Sequence, residues 1–164
     1  MEFKELVKGV KIPVLGLGTF GIGGGMSPDG SHDKECIAAL RRGIELGMTH
    51  IDTAEMYARG HSEEVVGEAI KPFDRDTLFI TSKVLGSNLK YNDLIDAAKR
   101  SLKRLKIDQM DLYLVHWPNP DVSLKETMRG MVYLLEQGLT RFIGVSNFSV
   151  ELMEEAQSHL DKKN

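Results

Sequence analysis

Cysteine is almost missing from this chain. Cys36 is the only one in 164 residues, so no disulfide can close within it. The fold must be held by packing alone, which fits a reducing compartment, and a cytoplasmic protein is expected. Cys36 itself falls in an amphipathic stretch, where it reads as a small buried hydrophobe. Long hydrophobic runs are missing too. No stretch approaches the roughly 20 apolar residues of a membrane-spanning helix, and the N-terminal MEFKELVKGV has no signal-peptide core. Neither sign of charge dominates: 21 Lys and Arg stand against 24 Asp and Glu, a net charge of −3. Neither nucleic acid nor a membrane is therefore expected as a partner. The one basic stretch, Lys99 to Lys106, is interrupted by Leu102 and Leu105 at helical spacing and reads as a solvated helix face. No residue is assigned as a metal ligand. What remains is ordinary for a soluble globular protein, with 41% hydrophobic and 27% charged residues. A single domain over residues 1–164 is expected.

A dinucleotide fingerprint is present by letter and lacking in context. Gly16-Leu17-Gly18-Thr19-Phe20-Gly21 matches G-x-G-x-x-G. Such a motif needs a helix opening at its third glycine and an acidic residue about 20 positions later. Here more glycines follow at 23–25, then Pro28. The stretch is better read as a loop at a strand end, where backbone can come close to a ligand.

The rest of the chain has a rhythm. Phe3 to Val14 alternates around Lys8-Gly9 and reads as a hairpin. Helices are expected over Asp33–Leu46, Ser62–Ile70, Asn92–Lys106 with Asn92 as cap, Ser123–Gln137 with Ser123 and Glu126 as a capping box, and from Ser149 to about Leu160. Strands are expected over Thr49–Asp52, Leu78–Lys83, Asp111–His116 and Phe142–Ser146. A polar tail, Asp161 to Asn164, closes the chain.

The strand ends Asp52, Lys83, His116 and Ser146 recur roughly every 30 residues, the length of one strand, one helix and two short loops. Strand and helix in alternation, without hairpins, imply a parallel sheet, either open and doubly wound or closed as a (β/α) barrel. Side-chain parity bears on the choice. His116 shares a face with Leu112 and Leu114, Lys83 with Phe79 and Thr81, Asp52 with His50, and Ser146 with Phe142 and Gly144. Each strand ends with a polar group on one face. In a barrel those groups converge over the axis, where barrel enzymes place their chemistry.

Asp52, Tyr57, Lys83 and His116 make one such constellation. A phenol with an ordinary pKa near 10 is a poor proton donor at neutral pH. A nearby ammonium favours the phenolate, a carboxylate orients the ammonium, and a histidine can orient a carbonyl oxygen or assist proton transfer. Taken singly, Asp52, Lys83 and His116 each have a structural explanation: a loop cap, a solvated strand end and a satisfied buried histidine. Their recurrence at matching positions of consecutive units favours proton delivery to a carbonyl oxygen while hydride arrives at carbon.

The segments IDTAEMYARGHSEEVVGEAI, the strand ending in Lys83, LYLVHWPNP and IGVSNF resemble, in order, the signatures of the aldo-keto reductases. The resemblance implies a (β/α)8 barrel that binds NADPH without a Rossmann domain and reduces aldehydes or ketones to alcohols. It implies Asp52, Tyr57, Lys83 and His116 as the catalytic tetrad, with Tyr57 the general acid. It places Gly18, Thr19, Phe20 and Asp52 beside the cofactor, and Ser146 and Asn147 on its carboxamide. Phe20 and Trp117 would line an apolar mouth for a small carbonyl substrate, a role that competes evenly with packing as core aromatics.

Against that pattern the chain carries five strand–helix units, whereas such a barrel takes about 250 residues. It is expected to be the N-terminal portion, short of the segments that grip the cofactor's 2′-phosphate. Two open sheet edges are expected to invite self-association. The alternative is a non-catalytic fragment or interaction subunit that keeps the family fold.

Overall fold

A computed structural model describes residues 1–160. Residues 161–164, the polar tail of the expected domain, lie outside the described residues. The chain opens with an antiparallel hairpin, β1 (Phe3–Val7) and β2 (Val10–Pro13), in which Phe3 faces Pro13. Its turn is secured by the Glu5 carboxylate, which accepts from Gly9 N at 2.7 Å. Five β/α units follow. Strands β3 (Leu17–Gly18), β4 (His50–Asp52), β5 (Phe79–Val84), β6 (Met110–Val115) and β7 (Thr140–Val145) form one parallel sheet in sequence order.

The helices are α1 (Asp33–Glu45), α2 (His61–Ile70), α3 (Tyr91–Leu105), α4 (Leu124–Glu136) and α5 (Val150–Leu160). Each packs on the next, α1 on α2, α2 on α3, α3 on α4 and α4 on α5. Strand order without reversal and helices in an unbroken row exclude double winding, which needs a switch in strand order and helices on both faces. This is the barrel type of arrangement. Ile51, Ile80, Val84, Tyr113 and Val115 bury their side chains with Val66, Leu94, Leu102 and Met131 of the helix layer. Gly67 lets α2 and α3 approach closely: a Cβ there would lie 2.6 Å from Arg104 O.

Several expected boundaries shift, each for a local reason. Helix α2 opens at His61 rather than Ser62, after a 3-10 turn over Tyr57–Gly60. Ser62 lies one residue inside and donates its hydroxyl to Ile22 O and, at 3.3 Å, to Thr19 O. Helix α3 opens at Tyr91, so Asn92 is not its cap. The expected capping box at Ser123 is not formed either. Ser123 precedes α4, yet its side chain makes no capping bond. The Glu126 carboxylate instead accepts from Tyr91 N at 3.0 Å and so caps the neighbouring helix α3. Ser149 does cap α5, accepting from Leu152 N at 3.3 Å.

Near the start of β6, at the end of the sheet opposite Lys83, Asp111 ties three strands together. Its carboxylate is 1% exposed and accepts from Arg75 at 2.6 Å, from Arg141 at 2.7 Å and from Ile80 N at 2.8 Å. Both arginines keep access to water and are readily rehydrated, whereas the Ile80 N–H is buried. Asp111→Ala is therefore expected to destabilise the fold by about 2 kcal/mol, chiefly through that orphaned donor. Urea unfolding followed by circular dichroism measures it, and an unchanged midpoint would contradict this role.

Candidate active site

The C-terminal ends of β4, β5 and β6 bring four polar side chains together. Asp52 is the last residue of β4, and Lys83 the last but one of β5. In the ladder Asp52 pairs with Thr81, and Lys83 with Leu114. Lys83 Nζ reaches back to Asp52 Oδ1 at 2.5 Å and donates to Thr53 O at 2.9 Å. Its side chain is only 7% exposed. A buried ammonium is tolerated only when paired in this way. Tyr57 swings in on the 3-10 turn, with its hydroxyl 3.4 Å from Lys83 Nζ.

His116 directly follows β6 and completes the group. Its ring meets Tyr57 edge-on, with centroids 5.7 Å apart. Its Nδ1 is buried without a hydrogen-bond partner. Burial pushes its pKa below the usual histidine value, the Lys83 charge pushes it further down, and Asp52 pulls weakly the other way. A neutral imidazole therefore faces the phenol at pH 7.

Phe20 and Trp117 extend this row of rings outward. Phe20 packs edge-on against Tyr57 at 5.3 Å, and Trp117 stacks on His116 at 6.3 Å. Both are largely exposed, Phe20 at 71%. Gly18 pairs with Asp52 across β3 and β4, and a Cβ there would meet nothing within 4 Å. Thr19 is fully buried, and both its amide and its hydroxyl donate to Asp52 O, at 3.0 and 3.1 Å. Its side chain thus fastens the first loop to β4. Ser146 and Asn147 lie just past β7. Asn147 has a left-handed backbone (φ 60°), and its amide donates to His116 O at 2.8 Å and Ser146 Oγ at 3.1 Å.

The Aldo/keto reductase family model matches residues 14–164. This chain belongs to the aldo-keto reductase family. An aldo-keto reductase of Bacillus subtilis is 41% identical to it over 164 residues, which cover 94% of this chain and 49% of that protein. A methylglyoxal reductase of Escherichia coli is 45% identical over 146 residues, covering 89% and 49%. Among solved structures, a thermostable aldo-keto reductase in complex with epalrestat superposes with a TM-score of 0.95 at 52% identity, over 97% of this chain and 58% of that one. An aldo-keto reductase of Klebsiella pneumoniae with NADP and acetate gives 0.82 at 41% identity, over 90% and 50%. The chain spans about half the length of the curated relatives it matches. The family's barrel is represented here by five β/α units.

The surroundings of Tyr57 and Lys83 were not read from the sequence. Glu55 accepts from Leu85 N at 2.6 Å, and Glu63 is fully buried between Ser82 and Arg104. A signal did exist for Glu63. It stands on the buried stripe of α2 with Val66 and Ile70, where a carboxylate is out of place unless paired.

The histidines offer a check on the electrostatics. Burial lowers the pKa of His50 as well as His116. The pair it forms with Glu64 raises that of His61. Imidazole titration by NMR should place His50 and His116 below 6.5 and His61 above it. Where the folded pKa is lowered, the unfolded chain binds more protons. His50 and His116 thus stabilise the fold less as pH falls from 6.5 toward their lowered folded values, whereas the His61 contribution is complete below 6.5 and is lost as pH rises through its raised folded value. A midpoint for His116 above pH 7 would overturn the neutral imidazole.

Proposed function

We propose that this chain carries the acid–base site of an NADPH-dependent carbonyl reductase. One observation supports the reading above all. Lys83 Nζ stands between a carboxylate at 2.5 Å and a phenol at 3.4 Å, with an imidazole facing that phenol. An ammonium beside a phenol stabilises the phenolate that remains once the proton has gone. Tyr57 is the general acid that protonates the carbonyl oxygen. Lys83 and Asp52 tune and orient it. His116, neutral, donates to the same oxygen and holds the substrate in line. Bound NADPH supplies the hydride to the carbonyl carbon.

The residues present suit the nicotinamide end of that cofactor. The open space at Gly18 admits close approach of a ligand to backbone. Asn147 spends its amide hydrogens on His116 O and Ser146 Oγ, which turns its own carbonyl oxygen into the acceptor for a carboxamide. Phe20 and Trp117 give the substrate an apolar mouth, and Thr19 contributes by holding the first loop on Asp52. Solved relatives crystallised with NADP or NADPH, and others named as methylglyoxal reductases, support the cofactor and a small carbonyl substrate. Action in the cytoplasm belongs to the same proposal, as does pairing of copies through the outer edges of β3 and β7, which sedimentation reads.

The experiment is NADPH oxidation at 340 nm by the full chain, with methylglyoxal and with a nitrobenzaldehyde. Turnover is expected, and Tyr57→Phe should lower kcat by about a hundredfold or more. A folded sample with neither turnover nor a change in NADPH fluorescence would sink the proposal and favour a non-catalytic role.

A further inference from the structure

The segment bearing Tyr57 has an awkward backbone. Ala58 (φ 47°), Arg59 (φ 54°) and Gly60 (φ 96°) are three consecutive residues in the left-handed region. Only glycine enters that region freely, so two of the three are strained and need support from outside. Ala58 N donates to Gly25 O at 3.1 Å. Arg59 N donates to Met56 O at 3.2 Å, and further support comes from behind the sheet. The Arg104 guanidinium of α3 lies against Gly60, so close that a Cβ there would fall 2.6 Å from its Nε.

That guanidinium is itself held. Arg104 Nε donates to Glu63 Oε2 at 2.6 Å, and a terminal nitrogen donates to Ser101 Oγ at 3.3 Å and stands 4.0 Å from Glu55 Oε2. The second Glu63 oxygen accepts from Ser82 Oγ at 2.5 Å. Glu55 accepts from Leu85 N at 2.6 Å and Asn88 Nδ2 at 3.0 Å, while its own amide donates to Lys83 O at 3.2 Å. One cation therefore touches the Tyr57 turn directly. Through two carboxylates it also reaches the chain on both sides of Lys83, at Ser82 within β5 and at Leu85 just past its end.

We infer that Arg104, on the helix side of the sheet, is a positioning residue that fixes Tyr57 against Lys83 through Gly60, Glu63 and Glu55. The inference rests on the acid–base reading of those two side chains. It assigns work at the strand ends to a residue that faces away from them.

The test compares the full chain with Arg104→Gln. Glu63→Gln serves as a second variant, which keeps the shape of the relay but removes its charge. Amide hydrogen exchange is followed residue by residue by NMR. Exchange at Ala58 and Arg59 should accelerate about tenfold or more in either variant, while the core amides of Ile80 and Tyr113 hold their rates within about twofold. In the NADPH assay, Arg104→Gln should lower kcat about tenfold with KM unchanged, and Arg104→Lys should recover part of that loss. Unchanged exchange at Ala58 and Arg59, or equal acceleration throughout the sheet, overturns the inference. Exchange is measured without turnover, so a parent chain that oxidises no NADPH counts against the acid–base reading and not against the brace.

Discussion

One ammonium group sets the terms for this site. Lys83 Nζ is withdrawn from water and held by Asp52 and by the carbonyl of Thr53. Burial of such a charge is sustained only while both acceptors stay in place. That demand fixes the end of β4 against the end of β5. It also fixes where a phenol must stand to use the charge, 3.4 Å away on a turn that no regular helix would supply. His116, one strand further on, feels the same charge and is kept neutral by it together with burial.

Strand β5, which carries Lys83, is held along its length. All six of its residues are buried. At its start the Asp111 carboxylate accepts from Ile80 N and gathers Arg75 and Arg141. Toward its far end Ser82 and Lys83 are bound by Glu63 and Asp52, and Leu85, just past the strand, by Glu55. The strand that presents Lys83 is braced by carboxylates from the elements on either side. A fixed geometry is what proton transfer within a preorganised site requires.

Much of this was legible in the sequence because it is periodic. The near-30-residue recurrence of Asp52, Lys83, His116 and Ser146 marked the parallel units, and alternation along each strand put all four on one face. What stayed hidden depends on partners far apart in the chain. Glu126 looked like half of a local capping box, but its partner is Tyr91 N, 35 residues earlier. The bond from the Thr19 hydroxyl to Asp52 O, which fastens the first loop to β4, joins residues 33 positions apart and left no mark in the local sequence. Nothing in Ala58-Arg59 announces a left-handed turn, since neither residue is the Gly or Asn that usually signals one. Side-chain parity and the family resemblance pointed to a barrel rather than an open sheet, and the packing of α1 through α5 in one row agrees with that reading.

The central claim is that the Lys83 charge, held beside Tyr57, drives proton delivery to a carbonyl oxygen. The most direct measurement is kcat for NADPH-dependent aldehyde reduction by the chain and by its Lys83→Met variant, with folding of both checked by circular dichroism. The account predicts a loss of about a hundredfold or more in the variant with the fold retained. Equal turnover by the two chains would contradict it.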